Sequence, residues 1–64
     1  MNSRKLHAKI VECGLTKADV AKQLGLNEKT FYRKMQSGKF HLLEAARMID
    51  ILHIKNPDEI FFDL

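Results

Sequence analysis

The chain has 64 residues, of which 45% are hydrophobic, with one cysteine and a formal net charge of +3. A chain of this length forms one domain, which we predict to span residues 1–64, and a single cysteine excludes an internal disulfide. No stretch reaches the apolar length of a membrane span and no basic-then-apolar leader opens the sequence, so we expect a cytoplasmic protein without membrane contact. Helix-forming residues dominate without an alternating strand pattern, which predicts an all-α, compact bundle of about five short helices.

The charge is distributed unevenly along the chain. Residues 1–15 hold three Lys or Arg against one acidic residue, and residues 16–39 hold six against two. Residues 40–64 hold two against five. A molecule polarised in this way is expected to turn its basic side towards a polyanion, which is the electrostatic pattern of a nucleic-acid-binding module.

The first helix is predicted from Ser3 to Cys13, with Asn2 or Ser3 as its N-cap and Gly14 as its stop. Its apolar spacing predicts an inward stripe formed by Leu6, Ile10 and Cys13. Cys13 is interpreted as a small buried apolar residue, and His7 is expected to be partly exposed beside the stripe. Three basic residues are compatible either with a position near phosphates or with plain solvation: Arg4, Lys5 and Lys9.

The second helix is predicted to begin after Thr16, whose hydroxyl can cap the first turn while Asp19 completes a capping box. Gly25 ends it, since glycine adopts the left-handed conformation at little cost. The predicted inward positions between these ends are Val20, Ala21 and Leu24.

The third helix is predicted over residues 28–37, between the N-cap Asn27 and Gly38, about three residues after the second helix ends. Phe31 and Met35 point inward on a helical wheel. Ten residues at about 1.5 Å each give roughly 15 Å of helix, which fits a major groove about 12 Å wide. The opposite face is a stripe of hydrogen-bond donors: Lys29, Tyr32, Arg33 and Gln36. Such a face can also be an ordinary solvated surface, but its combination with a tight turn favours contact with DNA.

This segment resembles the helix-turn-helix of the lambdoid phage repressor and Cro family. The resemblance is carried by alanine at the fifth motif position (Ala21), glycine at the ninth (Gly25) and a large apolar residue at the fifteenth (Phe31). The sequence FHLLEAARMIDIL, followed by a short acidic segment ending in IFF, is similar to the fourth and fifth helices of small phage-encoded members, so the resemblance covers nearly the whole chain. Two positions depart from the family pattern. The eighteenth, often apolar, is Lys34, and the glycine that ends the helix comes one residue late, at Gly38.

The resemblance implies a lambda repressor-like DNA-binding domain that acts as a repressor or Cro-like switch component in the cytoplasm of a bacterial host. Carried over by position, the residues that meet DNA are Lys17, Glu28, Lys29, Thr30, Tyr32 and Arg33. With the chemistry of the donor stripe added, the predicted base-reading set is Glu28, Lys29, Thr30, Tyr32, Arg33 and Gln36. The predicted phosphate contacts are Lys17, Asn27 and Lys39, the last in the loop after the third helix. Glu28 satisfies the helix dipole and can also accept a hydrogen bond from cytosine N4.

The fourth helix is predicted from Leu42 to about Leu52, with His41 near its N-cap and Phe40 as a core plug before it. Its core face is predicted to consist of Leu42, Ala45, Ala46, Ile49 and Leu52. Met48 and Ile51 lie off that face and are expected to need another partner.

A short fifth helix is predicted to begin near Asn56, since Pro57 and Glu59 follow as a first-turn proline and a capping-box acid. The chain then carries more apolar residues than a small core absorbs, which predicts a twofold dimer interface formed by Phe61, Phe62 and Leu64. Alternatively, this segment folds back and closes the core. The resemblance implies a homodimer on DNA with half-sites about 34 Å apart.

The sequence predicts neither a metal site nor a cofactor, because no two of its His and Cys residues have the close spacing of a zinc site. There is no glycine-rich phosphate loop and no serine or cysteine near a base, so we expect no enzyme activity and no small-molecule substrate. Two alternatives remain on the same fold. One is a protein-binding antirepressor or adaptor, and the other is an excisionase-like architectural protein that bends DNA without reading bases.

Overall fold

The computed structural model describes residues 1–62 and contains five helices in that range. They are α1 (Ser3–Glu12), α2 (Lys17–Gln23), α3 (Glu28–Ser37), α4 (Leu42–Ile51) and α5, a short π-helix (Asp58–Phe62). Residues 1–62 contain no strand, so the predicted all-α bundle is confirmed. The Cα radius of gyration is 10.4 Å, close to the value of roughly 10.5 Å expected of a compact chain of this size.

Polar side chains cap the starts of the first three helices, as the sequence predicts. Each cap oxygen accepts a hydrogen bond from a backbone N–H of the first turn, which would otherwise have no partner within the helix. The bonds run from Lys5 N to Asn2 Oδ1 (3.0 Å), from Asp19 N to Thr16 Oγ1 (3.1 Å) and from Thr30 N to Asn27 Oδ1 (2.8 Å). Asp19 Oδ2 accepts in return from Thr16 N at 2.9 Å, so the predicted capping box is present.

The four longer helices all end in the same way. A residue in the left-handed region follows the last turn, and the next backbone N–H bonds to the carbonyl oxygen five residues earlier, as in a Schellman motif. These bonds run from Leu15 to Ile10, from Leu26 to Ala21, from Lys39 to Lys34 and from Ile54 to Ile49. The left-handed residue is glycine at the first three ends but His53, with φ of 52°, at the end of α4.

The core is built from the inward faces of α1, α2, α3 and α4. Its largest fully buried side chains are Leu6, Ile10, Val20, Phe31, Met48 and Leu52. Cys13 is only half-buried and its thiol donates to the Leu52 carbonyl oxygen at 3.4 Å. Phe40 packs against Phe31, with the ring centroids 5.6 Å apart, which confirms its predicted place against the core.

The predicted core face of α4 is wrong in part. Met48 is completely buried, whereas Leu42 is 77% exposed and Ala46 is also exposed. The buried positions are Ala45, Met48 and Leu52, a face rotated by roughly 60° from the predicted one at 100° per residue. This rotation directs Glu44 towards Lys34 of α3, with which it forms an ion pair.

The segment after α4 packs against the start of the chain. The backbone N–H of Asn2 donates to the Ile60 carbonyl oxygen at 2.6 Å, and Ile60 itself is buried. The predicted fifth helix is therefore present, but it is π-helical and begins at Asp58. Phe61 is half-buried and Phe62 is 55% exposed, while Leu64 lies outside the described residues.

Candidate nucleic-acid interface

Helix α3 has one buried face and one exposed face. Phe31 is completely buried and Met35 nearly so, which holds the helix against the core. The opposite side chains are exposed as the helical wheel predicts: Lys29, Tyr32, Arg33 and Gln36. Glu28 is also exposed, and Thr30 is half-buried. The six residues predicted to read bases thus lie on or beside one accessible helix surface, which we call the recognition face.

Lys17, the first residue of α2, lies next to this face. Its Nζ atom is 5.3 Å from the centroid of the Tyr32 ring, a cation–π contact that joins the start of α2 to the middle of α3. The capping box at Thr16 fixes where α2 begins and hence where Lys17 is presented. The contact places a positive charge at the edge of the recognition face without a carboxylate beside it: no ion pair of Lys17 occurs among residues 1–62.

The other two predicted phosphate contacts lie at opposite ends of α3. Asn27 is exposed at the N-terminal end, but its side-chain oxygen is already engaged in capping Thr30, which leaves its amide N–H groups as donors. Lys39 is exposed immediately after Gly38, the left-handed residue that ends α3. Donors therefore flank the recognition face at both ends.

The N-terminal half of α1 brings further donors to which the sequence assigns no definite role. Ser3 Oγ donates to the Met35 carbonyl oxygen at 2.6 Å, which ties the start of α1 to the last turn of α3. A shallow groove of about 300 Å³ lies beside this bond and is lined by Ser3, Arg4, His7, Lys17, Met35 and Gln36. We call it the α1–α3 groove. The i, i+3 spacing of Arg4 and His7 was the available sequence signal, but it does not show which helix they face.

The remaining basic residues of α1 lie elsewhere. Lys5 Nζ is 3.6 Å from a carboxylate oxygen of Glu59, and Lys9 Nζ is 3.3 Å from one of Glu12. These residues line a separate depression between α1 and the C-terminal segment. Arg4 therefore lines a different groove from Lys5 and Lys9, a difference that the sequence alone does not indicate.

An ion pair lies behind the recognition face. Lys34 Nζ donates to both carboxylate oxygens of Glu44, at 2.8 and 2.7 Å, and both side chains are largely buried. Burial alone raises the pKa of the Glu44 carboxyl, but the hydrogen bonds from Lys34 and from the His41 backbone N–H, with the Lys34 charge, outweigh it. The pKa of Glu44 is therefore lowered. The pair explains how a lysine is accommodated on the inner side of α3.

Exposed apolar side chains gather around the start of α4. Leu42 and Leu43 are each 77% exposed. A small groove of about 190 Å³ lies beside Leu42 and is lined also by Met1, Gly38, Phe40, Ala45, Phe61 and Phe62. Two of the three residues predicted to form a dimer interface thus border one apolar surface with Leu42, next to the end of α3.

Within residues 1–62, no three His, Cys, Asp or Glu side chains come together as a group that could hold a metal ion. The longest helices of that range have ten residues, and none has the length and apolarity required to cross a bilayer.

Comparison of the chain with models of protein families, with curated proteins and with solved structures finds no match. Function is accordingly inferred from the residues of this chain.

Proposed function

We propose that this protein is a sequence-specific regulator of transcription that binds double-stranded DNA and inserts α3 into the major groove of an operator. The observation that carries the proposal is that one face of α3 is buried in the core while the opposite face is accessible to solvent. Phe31 and Met35 anchor the helix in the core, so α3 presents its opposite face to the exterior in a fixed orientation. The ten residues of α3 extend roughly 15 Å, which suits a groove about 12 Å wide.

The residue types on the recognition face match what base edges offer. Arg33 can donate two hydrogen bonds to O6 and N7 of guanine, and Lys29 can donate to guanine or to a phosphate. Gln36 can pair with adenine through its amide. Tyr32, Thr30 and Glu28 supplement them, Glu28 as an acceptor from cytosine N4. A face with both donors and an acceptor favours base readout over simple attraction to phosphate.

The charges around the face support the same orientation. Lys17, Asn27 and Lys39 surround α3 with donors that reach the sugar–phosphate backbone. The acidic C-terminal segment, with five carboxylates among residues 40–64, would be repelled by the duplex and so favours the docking of α3.

The proposal includes a homodimer on DNA. Phe61 and Phe62 border the apolar groove beside Leu42, and a second copy would bury this surface while presenting its own α3 to the next major groove. Half-sites would then lie about one helical turn, or about 34 Å, apart. Occupation of such an operator in a bacterial host would block transcription, in keeping with the repressor and Cro family that the sequence resembles.

One observation favours a different function. Leu42, Leu43 and Phe62 are exposed apolar side chains, and a partner protein rather than a second copy could cover them. The chain would then be an antirepressor or adaptor. The charged recognition face argues against a protein partner at α3 itself, because the centres of protein interfaces are depleted in charge.

A selection from random duplexes tests the proposal. Purified protein is mixed with a pool of random duplexes at moderate salt, and the bound fraction is recovered, amplified and sequenced. Recovery of an inverted repeat with half-site centres about one helical turn apart supports both the regulator and the dimer. Binding without enrichment of any sequence would indicate an architectural DNA-binding protein. If the protein binds no duplex, the alternative of a partner protein is favoured.

A further inference from the structure

We propose that the α1–α3 groove is a second phosphate-binding site, in which Arg4 and His7 hold a backbone phosphate next to the base contacted by Gln36. The inference rests on the proposed DNA-binding function and extends it to a helix outside the helix-turn-helix. It assigns a role to two residues that neither the donor stripe nor the family resemblance includes.

The composition of the groove fits an anion. Arg4 and His7 are three positions apart on α1 and both line the groove, and Lys17 lines it from the start of α2. Gln36 lines it from α3. No acidic residue is among those lining the groove within residues 1–62. A guanidinium, an imidazole and an ammonium thus border one space with no carboxylate among them, and arginine is the side chain best suited to bidentate contact with phosphate.

The groove is held in a fixed position relative to the recognition face. The hydrogen bond of 2.6 Å from Ser3 Oγ to the Met35 carbonyl oxygen joins the residue before Arg4 to the residue before Gln36. The contact of Lys17 with the Tyr32 ring restrains the Lys17 ammonium. A phosphate that enters the groove therefore has to order the exposed side chains but not the helices that carry them.

A comparison of Arg4 with the neighbouring Lys5 shows that the site depends on the position of a residue and not only on its positive charge. Lys5 follows Arg4 directly, yet it forms an ion pair with Glu59 on another side of α1. No ion pair of Arg4 is found among residues 1–62. A duplex bound at α3 would therefore meet Arg4 and not Lys5, although the two residues have the same charge and adjacent positions.

The test compares Arg4→Ala with Lys5→Ala. Both variants lose one positive charge, and circular dichroism and denaturation first establish that each is folded. Fluorescence anisotropy then measures binding to the highest-affinity duplex of the random pool, and to a scrambled duplex of the same length, over a series of salt concentrations. Arg4→Lys, which retains the charge, is the rescue variant, and His7→Gln tests the second ligand.

We expect Arg4→Ala to weaken binding to both duplexes and to reduce the salt slope by about 0.9, the value for one phosphate contact. Between about 50 and 200 mM salt, the parent should then lose about 3.5-fold more affinity than this variant. Lys5→Ala should retain the parent slope, Arg4→Lys should restore most of it, and His7→Gln should weaken binding to both duplexes alike. Equal slopes for Arg4→Ala and Lys5→Ala would overturn the site while leaving the proposed function intact. A parent that binds no duplex would overturn both.

Discussion

Lys34 and Glu44 form the one largely buried ion pair among residues 1–62, and it joins α3 to α4. Glu44 also accepts from the His41 backbone N–H at 2.9 Å, so its carboxylate caps α4 and holds α3 at the same time. The pair lies on the side of α3 that DNA would not touch. The ion pair is therefore expected to affect how rigidly α3 holds the recognition face.

We expect the interaction between Lys34 and Glu44 to contribute measurably to the free energy of unfolding. Lys34→Met leaves Glu44 with only the backbone N–H as a partner, which should lower the free energy of unfolding by about 1 to 3 kcal/mol, less than for a fully buried pair because water still reaches both groups. A double-mutant cycle with Glu44→Gln, measured by urea denaturation, isolates the pairwise energy. The same cycle on the exposed pair Lys5 and Glu59 is the control and should give below about 0.5 kcal/mol. Equal coupling at both pairs would contradict the structural role of Lys34.

The lowered pKa of Glu44 predicts a specific loss of stability in acid. A carboxyl whose pKa is lower in the folded state contributes stability above its unfolded pKa, about 4.3 for glutamate, and loses it as the pH falls through the folded value. Thermal unfolding between pH 7 and pH 2 should show this loss below about pH 4.3, and Glu44→Gln should reduce it. The remainder of the loss should include Asp19, whose pKa is lowered by hydrogen bonds from the backbone and side chain of Thr16. If Glu44→Gln loses as much stability in acid as the parent protein, the pair does not supply this stability.

His53 is expected to be a site of backbone strain. With φ of 52° it is the one residue other than glycine with a positive φ among residues 1–62. The left-handed conformation costs such a residue about 1 to 2 kcal/mol. Glycine avoids this cost, but it loses more conformational entropy on folding, so only part of the difference appears as stability. His53→Gly should therefore raise the free energy of unfolding by about 0.5 to 1 kcal/mol, without a change in DNA binding.

The matched control for His53 is Lys55→Gly, two residues later. Lys55 is also exposed but does not have a positive φ, so glycine there should only add freedom to the unfolded chain. Denaturation should show a small loss of stability. Similar losses in both glycine variants would contradict the assignment of strain to His53.

The observed core face of α4 makes a further prediction. Met48→Ala removes a completely buried side chain and should cost about 2 to 5 kcal/mol, whereas Leu42→Ala removes an exposed one and should change the stability of the monomer by less than about 1 kcal/mol. Thermal unfolding at low protein concentration checks both. A large loss for Leu42→Ala and a small one for Met48→Ala would support the face that the sequence predicts instead.

The difference between the two faces of α4 shows what the sequence could and could not predict. The caps at Thr16 and Asn27, and the stops at the glycines, involve residues close in sequence, so local pattern predicts them well. The inward faces of α1 to α3 follow from a clear apolar period. Helix α4 has apolar residues on most of its circumference. Its rotation buries Met48 and brings Glu44 to a residue ten positions earlier, and such contacts between distant residues cannot be read from local pattern.

The candidate site shows the same division. The exposure of the donor stripe on α3 follows directly from the burial of Phe31 and Met35. The α1–α3 groove could not be predicted, because it depends on the bond between Ser3 and Met35, 32 residues apart. The left-handed end of α4 was missed for a simpler reason, since histidine carries none of the signal that glycine does.

The central claim is that α3 reads bases, and Arg33 tests it most directly. Arg33→Ala and the control Arg47→Ala, which removes an exposed arginine from α4, are titrated against the selected operator and a panel of single base-pair variants. We predict that Arg33→Ala loses about 1 to 3 kcal/mol on the operator and loses discrimination at one base-pair position, while Arg47→Ala matches the parent. Loss of the same size in both variants on every duplex would contradict base readout by α3.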